Sequence, residues 1–284
     1  MPLHPAAPED LPGLVAAYAQ TVRAVIDLGR ACSDADFRKD TDCPGWTVKD
    51  QISHVVGVEQ SLAGAALPRV RVPEYAHVHT DLDRATEAMI ELRRPMIGSK
   101  VVDELEGVLA TRLAQLGSED LTLDTVIPGA LGPGPAGTVL RTRIVDIWTH
   151  EQDLRHALGR PGDLDSPGAA VFMDVLFSAL PRLVAKNAGI EPGNVVIFDI
   201  TGPVMGRAGV RLEVGENGKP LGTPLFTGTV HDHPEDEQVT SITLSTDAIA
   251  RRAAGRGSLE DIHYTVHGDE DVARRVLKAL PFTP

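Results

Sequence analysis

Asp146 and His150 stand four residues apart in the run Arg143-Ile144-Val145-Asp146-Ile147-Trp148-Thr149-His150-Glu151-Gln152-Asp153-Leu154-Arg155. In a helix that spacing puts both side chains on one face, one turn apart. A carboxylate oxygen and an imidazole nitrogen can then close on a single cation. His54, far upstream at the end of Val48-Lys49-Asp50-Gln51-Ile52-Ser53-His54, is a third candidate ligand. Two histidines and one carboxylate on zinc leave a fourth position open, as catalytic rather than structural sites do. The same spacing also suits a surface Asp–His ion pair worth a few tenths of a kcal/mol, with His54 a lone half-buried imidazole. Other histidines compete. His77 and His79 alternate in a loop, and His231 and His233 flank Asp232 beside the acidic run Glu235-Asp236-Glu237. His156, six residues after His150, faces another side of the helix.

The elements that must position these groups follow from apolar periodicity. Leu14, Val15, Tyr18, Val22, Val25 and Ile26 recur at three and four, predicting a helix from Glu9 to about Cys32. Cys43-Pro44-Gly45-Trp46 reads as a loop. Thr47 is a candidate N-cap, with Asp50 in the place of a capping-box acid, for a helix running to about Ala66. Residues 69–79 read as loop. Helical patterns resume from Asp81 to Pro95 and from Ile97 to Leu116, either as two helices or as one kinked at Pro95. The Gly- and Pro-rich stretch 128–137 argues against regular structure. Thr138 opens the helix bearing Asp146 and His150, which stops at Gly159-Arg160-Pro161-Gly162. Short connections favour an antiparallel bundle of about four helices.

Beyond residue 162 the texture changes. A helix over 167–186 precedes strand-like segments at 194–200, 209–214 and 239–244, then helical runs at 246–254 and 269–280 with a strand over 261–266 between them. The whole reads as α+β, with one domain over 1–162 and a second over 163–284.

Composition narrows the functions. Of 284 residues, 42% are hydrophobic, enough for a packed core, while aromatics are only 4%. A formal net charge of -13 with no long basic run argues against nucleic acid or an anionic membrane as partner. No apolar stretch approaches the length of a membrane span, and the first residues have no signal-peptide pattern. Cys32 and Cys43, eleven apart, match no metal knuckle or disulfide framework and suit idle thiols in a reducing cytosol. The expectation is a soluble, cytoplasmic monomer.

Cys43-Pro44-Gly45-Trp46-Thr47-Val48-Lys49-Asp50 followed by His54 resembles the second-helix signature of the mycothiol-dependent maleylpyruvate isomerase family. Asp146-x-x-x-His150-Glu151-x-Asp153-Leu154-Arg155 resembles its fourth-helix signature. Ala253-Ala254-Gly255-Arg256, Val266-His267-Gly268-Asp269 and the closing Thr283-Pro284 resemble its last segment. The resemblance implies a DinB-like four-helix bundle followed by a small α+β domain similar to sterol carrier proteins. It also implies a divalent metal, usually zinc, held by His54, Asp146 and His150, and it suggests an arginine of the C-terminal domain for an anionic substrate. Arg256 and Arg252 are the candidates, and either also suits a surface charge. The family pattern has Glu at the position of Asp146. Asp is one methylene shorter, so the helix must approach the ion more closely or bind it through a different oxygen.

Metal coordination deprotonates a thiol whose pKa is about 8.5 in water. The implied activity is therefore S-transfer to, or cis–trans isomerisation of, a small electrophile with a low-molecular-weight thiol, mycothiol by resemblance. Two alternatives are a metal-stabilised ligand-binding module without catalysis and a metal-dependent hydrolase.

Overall fold

A computed structural model describes residues 3–216, 218–227 and 237–283. They form two compact units, one of residues 8–162 and one of residues 3–7 with 163–283.

The first unit is helical. It contains α1 (Leu11–Arg30), α2 (Val48–Leu62), α3 (Asp81–Glu91), α4 (Gly98–Leu116) and α5 (Ala136–Leu158). α1 packs on α4 and α5, and α2 packs on α3, α4 and α5. Each long helix buries a stripe spaced by three and four. These are Leu14, Tyr18, Val22 and Val25 on α1, Val48, Ile52 and Val55 on α2, Val101, Leu105 and Val108 on α4, and Leu140, Ile144 and Ile147 on α5. The ends are set by local chemistry. Thr47 and Asp50 form a reciprocal capping box at the start of α2, and Thr80 and Asp83 form another at α3. α5 stops at Gly159, whose φ of 64° lies in the left-handed region that glycine enters without steric cost.

Of the two readings of residues 81–116, the structure has separate helices α3 and α4 rather than one kinked at Pro95. Tight turns at 92–96 separate them, and α4 begins at Gly98, where any Cβ would sit 2.3 Å from the Phe37 ring. The Gly/Pro stretch is not wholly irregular. A minimal antiparallel ribbon pairs β1 (Val126–Ile127) with β2 (Gly134–Pro135), and α5 starts at Ala136, two residues before Thr138. A two-stranded ribbon leaves each strand one open side, so a proline without an N–H is tolerated there.

The second unit is α+β. α6 (Pro167–Arg182) ends in a π-helical turn at Leu183–Asn187. Then follow β3 (Asn194–Thr201), β4 (Met205–Val214), β5 (Pro220–Leu225), β6 (Gln238–Leu244), α7 (Thr246–Ala253), β7 (Tyr264–His267) and α8 (Glu270–Lys278). The sheet order is β5-β4-β3-β6-β7, parallel between β3 and β6 and antiparallel elsewhere. Val196 pairs with Val210 on one side and Thr240 on the other. Residues 3–7 join this unit, with His4 bridging to Met205.

β5 carries two prolines and a glycine, a loop-like composition, yet it forms an edge strand where one side needs no donors. Gly222 lets it pass close to α6, because a Cβ there would lie 2.3 Å from the Pro181 carbonyl oxygen. The expectation that no apolar run reaches span length needs correction. Pro167–Asn187 is long and apolar enough by length and composition, and 61% of that window is buried as a core helix.

Gly57 of α2 offers a test of the α2–α3 packing. In an open helix, alanine for glycine stabilises by roughly 0.5–1 kcal/mol. At Gly57 the new Cβ would lie 2.4 Å from Met89 Cβ on α3, and such overpacking costs about 1–3 kcal/mol. Gly57→Ala is therefore expected to lower the melting temperature by a few degrees in a thermal melt, where an increase would show that α3 yields without cost.

Candidate metal centre

His54 comes from α2, and Asp146 and His150 come from α5. The capping box fixes where α2 begins and so which face His54 presents, while the i, i+4 spacing stacks Asp146 and His150 on the facing side of α5. The structure brings all three together. His54 Nε2 lies 3.3 Å from Asp146 Oδ2, and His150 Nε2 lies 3.6 Å from Asp146 Oδ1. The two imidazoles meet edge-on with centroids 4.5 Å apart. One ligand atom from each residue falls within 4.8 Å of the others. Ligands held about 2.0–2.1 Å from a common ion in a tetrahedron stand roughly 3.4 Å from one another; the two Asp146 contacts, made through different oxygens, have that size, and the three ligand atoms together span at most 4.8 Å. Both histidine side chains are 9% exposed and that of Asp146 24%, which excludes a solvated surface pair.

The donor set suits such an ion. Two imidazoles and a carboxylate match zinc and its first-row neighbours. Burial is the largest influence on His54, pulling it below the ordinary imidazole pKa with help from His150 and Arg143 against the opposing effect of Asp146. A neutral imidazole is the ligating form. At His150 burial acts downward too, but Asp146 and Asp153 outweigh it and raise the pKa. Asp146 resists protonation: burial acts upward, yet Arg143 and the two histidines hold its carboxyl well below the usual range.

A second layer surrounds these groups. Asp153 Oδ2 lies 3.7 Å from His150 Nδ1 and accepts from Gln51 Nε2 at 3.3 Å, while Gln51 Nε2 also donates to Thr41 Oγ1 at 2.8 Å. A carboxylate behind a ligating histidine orients the ring. Trp46 walls the site, its ring centroid 5.2 Å from that of His54 and 5.7 Å from that of His150. Its indole N–H donates to buried Glu87 at 3.0 Å, which also accepts from Arg94 at 2.6 Å and faces His77 Nε2 at 3.2 Å.

Beneath Asp146 runs a buried chain of charge. Arg143 Nη1 donates to Asp146 Oδ2 at 2.5 Å, and its Nε donates to Glu59 Oε1 at 2.9 Å. Glu59 Oε2 accepts from Tyr18 Oη at 2.7 Å and Arg112 Nε at 3.1 Å.

The remaining sequence candidates fall elsewhere. His77 stands in the outer wall and outside the ligand set. The backbone N–H of His79 donates to Asp83, and His156 pairs with Asp42 at 2.6 Å on the surface. Glu151, one residue after His150 and so about 100° round the helix from it, is buried and accepts from Arg155. His231 and His233 lie outside the described residues. Arg252 and Arg256 belong to the C-terminal unit. Arg252 donates to the carbonyls of Leu277 and Gly257, and Arg256 to that of Ala254. Sequence reasoning assigned no role to Asp153, Glu59, Arg112 or Arg143. The signal for two of them lay in the motif itself, since Arg143 precedes Asp146 by three and Asp153 follows His150 by three, both helix-face spacings.

Residues 18–155 match the model of the mycothiol maleylpyruvate isomerase N-terminal domain. A search of curated proteins finds no match. Among solved structures the chain is similar to a crystal structure of the mycothiol-dependent maleylpyruvate isomerase, at 20% identity and a TM-score of 0.54 over 91% of this chain and 93% of that one. It is also similar to a histidine-to-alanine mutant of that isomerase, at 19% identity and a TM-score of 0.53 over 90% and 93%. At such identities the structural likeness bears on the fold alone. The family model, in contrast, spans most of the helical unit that holds all three clustered ligands, and it is this unit that is similar to the mycothiol maleylpyruvate isomerase N-terminal domain.

Proposed function

We propose that this chain is a cytoplasmic, divalent-metal-dependent enzyme that uses a low-molecular-weight thiol, mycothiol by family, as nucleophile toward a small electrophile. The reaction is cis–trans isomerisation or S-transfer. The observation that carries this reading is the convergence of His54, Asp146 and His150 within a helical unit that matches this family's N-terminal domain. Zinc held by these residues would supply a Lewis acid that favours the thiolate form of a coordinated thiol at neutral pH.

The protein's own groups prepare that chemistry. His54 stands neutral and Asp146 ionised, so neither must lose a proton before ligating. Asp153 and Gln51 steer the His150 ring. Trp46 shields the two imidazoles from water on one side. For the anionic end of the substrate we assign Arg252 and Arg256, whose guanidinium orientations are fixed by backbone carbonyls. In isomerisation, thiolate sulfur adds to one alkene carbon and the π pair moves onto the conjugated carbonyl. The carbon–carbon bond rotates, and the returning pair expels thiolate with no net redox or proton change. S-transfer differs only in that another group leaves.

A screen of thiol consumption and of alkene isomerisation, with mycothiol and with zinc, tests the reading. Chelation is expected to abolish turnover and zinc to restore it. Turnover that needs no thiol would indicate a metal-dependent hydrolase, and metal-dependent stability without turnover a non-catalytic module. His54→Ala and His150→Ala should each weaken zinc binding by more than the roughly 100-fold upper end for a supporting residue, and abolish turnover. Asp153→Asn should weaken binding by about 10–100-fold, measured by competition with a chromophoric chelator.

A further inference from the structure

Asp146 is held from behind. Its Oδ2 is taken by Arg143 Nη1 at 2.5 Å and stands 3.3 Å from His54 Nε2, whereas its Oδ1 has His150 Nε2 as its neighbour at 3.6 Å. Arg143 is itself fixed. Its Nε and Nη2 both lie 2.9 Å from Glu59 Oε1, and Glu59 is closed on its other oxygen by Tyr18 and Arg112. Glu59 is 0% exposed and Arg143 2%, so water does not compete for these contacts. One planar guanidinium thus spans two carboxylates, a task suited to the rigid fork of arginine and not to the point charge of lysine.

We propose that Glu59 and Arg143 are positioning residues for the metal centre. Glu59 fixes the Arg143 guanidinium, and Arg143 occupies Oδ2 of Asp146, leaving Oδ1 as the single oxygen through which Asp146 ligates. This rests on the metal reading above and deepens it. It also gives this chain's short carboxylate a defined binding mode: the arginine one turn earlier on α5 sets its rotation, and α5 sets its reach.

The test uses the full chain with zinc and cobalt(II) as probes. Arg143→Lys keeps the charge but loses the fork, and Glu59→Gln keeps the shape but loses the charge. Each is expected to lower zinc affinity by about 10–100-fold, the range for supporting residues, and to alter the ligand-field absorption of the cobalt(II)-loaded protein. Tyr18→Phe touches Glu59 from the opposite side. It should lower the melting temperature while leaving affinity and spectrum unchanged. Folded Arg143→Lys and Glu59→Gln proteins with wild-type affinity and spectrum would overturn the proposal, as would a Tyr18→Phe protein that loses affinity equally. A metal-loaded crystal structure of the wild type decides the matter even if the variants do not fold. Ligation through Oδ1 with Arg143 still on Oδ2 supports the proposal, and bidentate or Oδ2 ligation refutes it. Wild-type protein that binds neither ion overturns the metal reading and this proposal together; binding with unaffected variants overturns this proposal alone.

Discussion

The helical unit is organised about one buried carboxylate. Glu59 of α2 meets Tyr18 of α1, Arg112 of α4 and Arg143 of α5, so each of the four long helices contributes one group to a single junction. An unpaired carboxylate in that setting would be prohibitively costly. Here two guanidiniums offset two carboxylates, counting Asp146, and the burial is tolerated. Removing one partner from such a set strands a charge, at about 3–5 kcal/mol. The junction also constrains geometry. Sliding any of the four helices by one residue would break its contact, whereas the Val, Leu and Ile stripes around it are far more permissive. Burial, reinforced by Glu59, lifts the Tyr18 hydroxyl far above its ordinary pKa, so it remains a donor throughout the physiological range.

The same charges set the state of the ligands. His54 and His150 share Asp146, yet their proton affinities move apart: at His54 burial, helped by His150 and Arg143, outweighs Asp146, whereas at His150 Asp146 and Asp153 together outweigh burial. Nδ1 of each imidazole is buried without a hydrogen-bond partner among the described residues, and Asp153 lies 3.7 Å from that of His150. The site is therefore asymmetric before any ion arrives: both imidazoles pack against Trp46, and His150 also faces the Asp153 carboxylate.

Much of this was legible in the sequence, and the reasons differ from element to element. Asp146 and His150 are legible because a helix converts a separation of four into contact. The start of α2 is legible because Thr47 and Asp50 are a local signal. The proximity of His54 to α5 depends on tertiary packing, and the family resemblance, not the spacing, pointed to it. The Glu59 junction was not legible: lone Glu and Arg residues on amphipathic helices ordinarily face water, and nothing local marks these as inward. β5 was hidden for a similar reason. Its prolines forbid a central strand but suit an edge, and edge position is a property of the assembled sheet.

The bridge between His4 and Met205 makes the helical unit an insertion within the other. On a chain made from its N-terminus, His4 emerges some two hundred residues before its partner. Domains tend to complete themselves as they emerge, so α1 to α5 can close their core while residues 3–7 wait as a loose end. The order of assembly is thereby written into connectivity: helices first, and the sheet sealed only when residues 3–7 are called back to β4.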